Sequence, residues 1–209
     1  TNSKVTALKQ ALEIGSSYQH DHGIAQKAVV FTESKRTQKY IAEELRKSGY
    51  GEEDIILFNG GFDDAMSKEI YQAWQAKNYG NANYGRSVEY KHAIVDYFWE
   101  NAKILICTDA GSEGLNLQFC NTVINYDLPW NPMKIEQRIG RCHRYGQQND
   151  VVAINLLNTQ NEADKRVYEI LSKKFELFEG VFGASDIAIG ALESGTSFEK
   201  TVLDIYQRC

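Results

Sequence analysis

A chain of 209 residues with 43% hydrophobic content can bury one sizeable core, and its two prolines leave little room for a disordered linker. The formal net charge of -5 argues against a generally basic nucleic-acid binder, so any phosphate backbone must meet a local patch of lysine and arginine. No apolar run approaches the about 18 residues of a membrane span and no apolar signal segment opens the chain, so a cytoplasmic protein without membrane contact is expected.

The first residue is Thr1 rather than methionine, as expected of a piece of a longer protein. Val5, Leu8, Leu12 and Ile14 give Lys4 to Gln19 the apolar rhythm of an amphipathic helix, and residues 1–22 read as a lead-in. Ala28-Val29-Val30-Phe31 reads as a core strand closed by Thr32-Glu33-Ser34. Ser34 is placed to cap a helix from Lys35 to Ser48 that turns Tyr40, Ile41 and Leu45 inward, with Gly49 as its stop. Ile55-Ile56-Leu57-Phe58 supplies the next strand. Short apolar strands alternating with amphipathic helices predict a parallel sheet covered on both faces, an α/β fold.

Between Asn59 and Val88 the pattern loosens, and a loop excursion over about 60–88 is expected. Within it, Asn78-Tyr79-Gly80-Asn81-Ala82-Asn83-Tyr84-Gly85 is rich in turn formers with interleaved tyrosines. Such a stretch reads either as a nucleic-acid-facing loop that stacks tyrosine on bases or, the preferred reading, as a loop with no ligand. A helix from Glu89 to Glu100 follows.

Lys103-Ile104-Leu105-Ile106-Cys107-Thr108 is an apolar strand that breaks into Asp109-Ala110-Gly111-Ser112-Glu113-Gly114, a tight turn into a helix. Strand ends in open α/β sheets border the ligand crevice, which makes Thr108 and Asp109 candidates for function, although Asp109 also reads as a helix cap. Gly111 and Gly114 permit close backbone approach to a phosphate or ribose, and a helix amino end favours an anion. A second strand runs from Thr122 to Asp127, and Leu128-Pro129-Trp130-Asn131-Pro132 ends it, with Asn131 as N-cap and Pro132 as first helical residue. That helix leads into Gln137 to Gln147, where Arg138, Arg141 and Arg144 stand at spacings of three around Gly140. Guanidinium forks so clustered suit a triphosphate or a nucleic-acid backbone, and the alternative is a solvated basic face.

Asn161 to Phe178 shows a stripe of Val167, Ile170, Leu171, Phe175 and Phe178, then Gly180 to Ser185 forms a Gly-rich turn and Ser197 to Tyr206 a last helix, so residues 161–209 read as a helical packing appendage. Cys107, Cys120, Cys142 and Cys209 show no Cys-x-x-Cys spacing, which argues for reduced thiols and against zinc or any other metal site.

Thr108 to Gln118 resembles motif V of superfamily 2 helicases and translocases, and Gln137 to Gln147 resembles their motif VI. Gly114-Leu115-Asn116-Leu117, the run from Asn125 to Pro132 and Gln-Arg-Ile-Gly-Arg-Cys-His-Arg-Tyr-Gly-Gln together resemble the Swi/Snf-type ATPases and their bacterial relatives; DEAD-box proteins usually carry His-Arg-Ile-Gly-Arg-x-Gly-Arg instead. The resemblance covers roughly residues 27 to 160 and implies the second of two RecA-like lobes, a parallel β-sheet flanked by helices over residues 23–160, with a helical C-terminal appendage. It implies that Arg141 and Arg144 are fingers on the terminal phosphate of ATP. Gln137 and Arg138 are implied as supporting residues that couple to motif V and, with Gly111, Glu113 and Asn116, as nucleotide-binding positions. Thr108 and Ser112 are implied to face nucleic acid, and His143 to be a packed neighbour rather than a general base.

The chain has no Gly-x-x-x-x-Gly-Lys-Ser/Thr loop and no Asp-Glu-x-His pair. The resemblance therefore implies that ATP with Mg2+ is held mainly by a preceding lobe, that the arginines act on it in trans, and that this chain alone hydrolyses ATP negligibly. The implied partners are an N-terminal RecA-like lobe of the same parent chain, nucleic acid in the form of duplex DNA, and a protein such as RNA polymerase. The alternatives are a strand-separating RNA or DNA helicase lobe and a noncatalytic interaction module, against which the intact arginine pair stands.

Overall fold

Strands β1 (Ala28–Thr32), β3 (Ile104–Thr108), β4 (Thr122–Asn125) and β5 (Val151–Leu156) are buried at every residue, the pattern of a sheet covered on both faces. The computed structural model describes residues 3–62, 64–78, 85–129, 131–144, 147, 149–157, 162, 165–169, 191–192 and 204–206. With β2 (Ile55–Phe58), these strands form a parallel sheet in the order β2-β3-β1-β4-β5, and the short β6 (Ala191–Leu192) extends it in parallel beside β5. The expected parallel sheet flanked by helices is present.

Side-chain alternation along the strands splits the core in two. Val29, Phe31, Ile56, Phe58 and Leu105 join Tyr90, Ile94 and Phe98 of α4 (Arg86–Glu100) and Ile135 of α6 (Pro132–Ile139) in one cluster. Val30, Ile106 and Ile154 join Leu8 and Leu12 of α1 (Ser3–Asp21) and Ile41 and Leu45 of α2 (Lys35–Arg46) in the other. Ser34 caps α2 as expected, its side chain accepting from the backbone of Arg36 and Thr37, and Gly49 follows the helix at φ 104°. At the far end of α1, buried Gln19 donates to the Asn121 side chain and to the Lys27 carbonyl, both at 2.7 Å, which fixes the lead-in helix to the sheet.

The expected excursion over 60–88 differs from the fold found there. It contains α3 (Ala65–Lys77), capped by Asp64 through a 2.9 Å bond to Ser67 N, and α4 starts at Arg86. Met66, Ile70 and Trp74 repeat every four residues and pack on the first cluster, so the helical period was present under weak flanking signals. Trp74 Nε1 donates to Asp96 at 2.7 Å and Tyr71 to Glu89 at 3.0 Å, joining α3 to α4. Residues 79–84, with both tyrosines of the turn-rich stretch, lie outside the described residues.

In the tail, residues 165–169 are helical and Val167 enters the first core cluster. The rest of the expected 161–178 helix beyond Glu162, the turn at 180–185 and most of the last helix lie outside the described residues. Within that last span, Asp204–Tyr206 forms strand β7, antiparallel to β5, rather than helix. The edge of β5 offers unpaired backbone groups, and Ile205 and Tyr206 are good strand formers, so pairing outweighs local helical rhythm. Cys107, Cys120 and Cys142 are buried free thiols, and burial pushes the Cys107 thiol well above its ordinary range. Among the described residues no helix is long and apolar enough to cross a membrane.

After β3 the chain turns into α5 (Asp109–Ser112), where a Cβ on Gly111 would stand 2.5 Å from Phe58 O and 2.8 Å from Asn59 Cα. Glycine is therefore required here by the close passage of α5 over the end of β2. Gly111→Ala is expected to lower stability by about 1–3 kcal/mol through forced backbone displacement, read as a shifted urea midpoint at unchanged slope. An unshifted midpoint would contradict this packing account.

Candidate functional site

The ends of β3 and β4 bring one acidic and one basic segment together. Thr108 caps α5, its Oγ1 accepting from Gly111 N at 3.3 Å, and this turns Asp109 toward α6. Asn131 caps α6 through a 3.0 Å bond from Met133 N, with Pro132 at the first helical position as expected. The capped helix carries Arg138 inward, where only 2% of the residue remains exposed.

Burying a guanidinium demands that its donors be filled. Arg138 Nε donates to Asp109 Oδ1 at 2.6 Å and Nη2 to Oδ2 at 3.1 Å, a bidentate fork. Nη1 donates to Asn125 Oδ1 at 3.0 Å and to the Asp127 carbonyl at 2.8 Å. Asn125 is oriented in turn by its own 2.8 Å donation to Asn155 of β5, and the guanidinium lies 5.2 Å from the centre of the Phe31 ring. Burial raises the Asp109 carboxyl, but the hydrogen bonds and charge of Arg138, with Lys134 beside it, outweigh that and hold it below the usual carboxylate range. Asp127 belongs to the same frame: Oδ2 accepts from Thr32 at 2.6 Å and Oδ1 pairs with Lys4 of α1 at 3.2 Å.

Next to this tie lies a groove of about 230 Å³ lined by Asp109, Ala110, Ser112, Glu113, Lys134, Gln137, Arg138 and Arg141. Arg141 is half-buried, and its Nε is buried without a hydrogen-bond partner among the described residues. Its carbonyl accepts from Leu117 N at 2.9 Å, while Gln147 Nε2 donates to the Gln118 carbonyl at 2.5 Å and the Cys142 carbonyl at 3.2 Å. These bonds fasten the turn after α6 to the segment after α5. On the other side, Lys91 Nζ of α4 donates to the Glu113 carbonyl at 2.7 Å, beside Gly114 at φ 79°. The groove lining thus carries Lys134, Arg138 and Arg141 against Asp109 and Glu113, with Asp109 already paired to Arg138.

Of the expected site residues, Ser112, Glu113, Gln137, Arg138 and Arg141 line this groove. Arg144 is exposed on the exit turn, as is His143. Asn116 is exposed, its side chain 3.4 Å from Gln118 Oε1. Arg138 donates to Asp109, Asn125 and the Asp127 carbonyl while also lining the groove. Gly111 has no room for a Cβ against Phe58 and Asn59. Thr108 and Ser112, expected to face nucleic acid, are buried, and their hydroxyls serve the Gly111 amide and the Asp109 carbonyl (2.9 Å). Sequence reading missed Lys134, Asn125 and Asn155; only Lys134 left a signal, four residues before Arg138 and seven before Arg141 on one helix face.

Residues 3–146 match the family described as the helicase conserved C-terminal domain. Over 203 residues the chain is 35% identical to an uncharacterized ATP-dependent helicase, YqhH, of Bacillus subtilis (strain 168), covering 97% of this chain and 31% of that protein. A stretch of 52 residues is 52% identical to the RNA polymerase-associated protein RapA of Proteus mirabilis (strain HI4320), covering 25% of this chain and 5% of that one. Two solved structures share the fold: the C-terminal part of the Fun30 ATPase domain (TM-score 0.57, 20% identity, 80% of this chain and 44% of that one) and the E. coli DEAD-box protein SrmB bound to RraA (TM-score 0.53, 17% identity, 82% and 78%). The chain therefore spans less than a third of the length of these two sequence relatives.

Asp109→Asn should destabilise the protein by about 3–5 kcal/mol, because it leaves a buried guanidinium without its countercharge. The native carboxyl titrates below its unfolded value, so its contribution is complete above the unfolded value of about 3.9 and is lost as pH falls through the native one. Urea denaturation of both forms across pH checks this: the gap should be constant near neutrality and shrink below about pH 4. A gap that widens on acidification would contradict the assignment.

Proposed function

Since the chain belongs to the helicase conserved C-terminal domain family, we propose that it is the carboxy-terminal RecA-like lobe of an ATP-dependent nucleic-acid translocase of Swi/Snf type. The observation that carries this reading is the groove lined by Lys134, Gln137, Arg138 and Arg141, where Arg141 Nε is buried without a partner among the described residues. A buried donor of this kind costs free energy unless an acceptor arrives, and a polyphosphate supplies one.

ATP, with Mg2+ and held mainly by a preceding lobe of the parent chain, supplies the phosphoanhydride bond that is cleaved. Arg141 and Arg144 neutralise charge on the terminal phosphate as it develops. Arg138 keeps Arg141 in place by anchoring the last turn of α6 to β3 and β4. Gln137 adds a neutral donor to the groove, and Glu113 and Asn116 border the nucleotide sugar. The Leu117 N to Arg141 carbonyl bond gives motif V and motif VI one mechanical unit, so displacement of one moves the other.

Nucleic acid, in the form of duplex DNA, is the track in this reading, on the strength of the Swi/Snf-like motifs. RNA polymerase as a partner of the parent chain is taken from the name of the Proteus relative. A cytoplasmic location is part of the same reading.

ATP hydrolysis by the full-length parent protein, with and without duplex DNA, single-stranded DNA and RNA, tests this directly. Duplex DNA should stimulate turnover, and Arg141→Ala should lower the stimulated kcat by about a hundredfold or more. The 209-residue chain alone should turn over ATP negligibly. Turnover by that chain that survives Arg141→Ala would sink the in-trans assignment, and a parent enzyme indifferent to nucleic acid would sink the translocase.

A further inference from the structure

Lys134 lines the groove and has no task in the function proposed above. The cap at Asn131 and the proline at 132 place it in the first turn of α6, so its position is built and not incidental. Lys134, Gln137 and Arg141 follow one another at i, i+3 and i+7, and Gly140 continues the helical path at φ -61° and ψ -8°. All three therefore share a face and line one groove. At helical rise, the run from Lys134 to Arg141 covers about 10 Å, a length along which a polyphosphate chain can be followed.

The partner of Lys134 makes its role specific. Its Nζ lies 3.5 Å from Asp109 Oδ2, the oxygen that already accepts from Arg138 Nη2. Asp109 is thus satisfied by a buried guanidinium at 2.6 and 3.1 Å before Lys134 is counted. The Lys134 side chain is 48% exposed, and a pair of that kind contributes about 0–1 kcal/mol. Releasing the ammonium costs little and leaves Asp109 with its fork to Arg138. Lysine suits such a transfer, being a compact charge on a flexible four-carbon stem, whereas Arg138 is locked on all sides. Arg141, whose Nε has no hydrogen-bond partner among the described residues, lines the same groove. Glu113 also lines it, but is exposed, so solvent screens its repulsion of an anion.

We propose that Lys134 is an additional phosphate-binding residue, resting on Asp109 in the free lobe and passing to the polyphosphate of the nucleotide when the groove fills. The inference rests on the nucleotide reading of the groove and adds to it a cation that moves without loosening the Asp109–Arg138 tie.

Steady-state hydrolysis by the full-length parent protein, comparing wild type, Lys134→Met, Lys134→Arg and Arg141→Ala, is the test. Thermal melting of each variant comes first, and Lys134→Gln replaces the Met variant if that melts early. Removing the ammonium should raise KM for ATP about tenfold, a larger change than its effect on kcat, while Lys134→Arg keeps most of the affinity. The duplex DNA concentration for half-maximal stimulation should stay at the wild-type value. A KM for ATP within about twofold of wild type overturns the proposal, as does a shift confined to the DNA dependence, which would give the lysine to a backbone phosphate. If Arg141→Ala lowers kcat while Lys134→Met leaves KM unmoved, the inference alone fails. If both variants behave as wild type, the nucleotide reading of the groove fails with it.

Discussion

A guanidinium taken almost wholly out of water organises this lobe. Arg138 cannot shed its charge, so its burial is tolerated only because Asp109, Asn125 and the Asp127 carbonyl meet it with acceptors. Those acceptors come from the ends of two strands that are not neighbours in the sheet: β3 and β4 flank β1, whose Phe31 ring lies under the guanidinium. That tie, with Ile135 and Ile139 in the core and Asn131 as cap, positions α6. A hydrophobic residue at 138 would hold the helix too, but without the angular precision of a bidentate fork.

The three arginines of one short run consequently do three different things. Arg138 is buried and tied to Asp109, Asn125 and the Asp127 carbonyl. Arg141, one helical turn on, is half-buried, with an Nε that has no partner among the described residues. Arg144 stands in solvent beyond the helix end. Equal spacing in sequence becomes graded exposure where the helix ends at Ile139 and the chain enters its exit turn. The carbonyl of Arg141 accepting from Leu117 N ties the two motifs by backbone alone, which no side-chain pattern announces.

Much of the frame was legible because local physics dictates it. Ser34 and Asn131 cap their helices where short polar side chains precede helical runs, and Pro132 takes the one position that loses no hydrogen bond. β1, β3 and β4 are apolar runs too short for helices and bounded by turn formers. The misreadings had equally physical causes. The helix at Ala65–Lys77 was hidden because its stripe of Met66, Ile70 and Trp74 is sparse and its neighbours are rich in glycine and asparagine. Asp204–Tyr206 pairs with β5, a contact across some fifty residues of chain that no local window registers.

Sequence by itself determined the class of fold, the strands and capped helices around its motifs, and the family to which it belongs, because caps, hydrophobic periods and contiguous motifs are all short-range properties. Tertiary structure alone decided which motif residues are buried and which line the groove. Gly111 proved to be a packing requirement because β2 passes behind it, and Thr108 and Ser112 turned inward because backbone groups nearby needed partners. Burial is a sum over neighbours from distant segments, so the fate of a side chain at a strand end is settled only when β2, β3, β4 and α6 have converged on it.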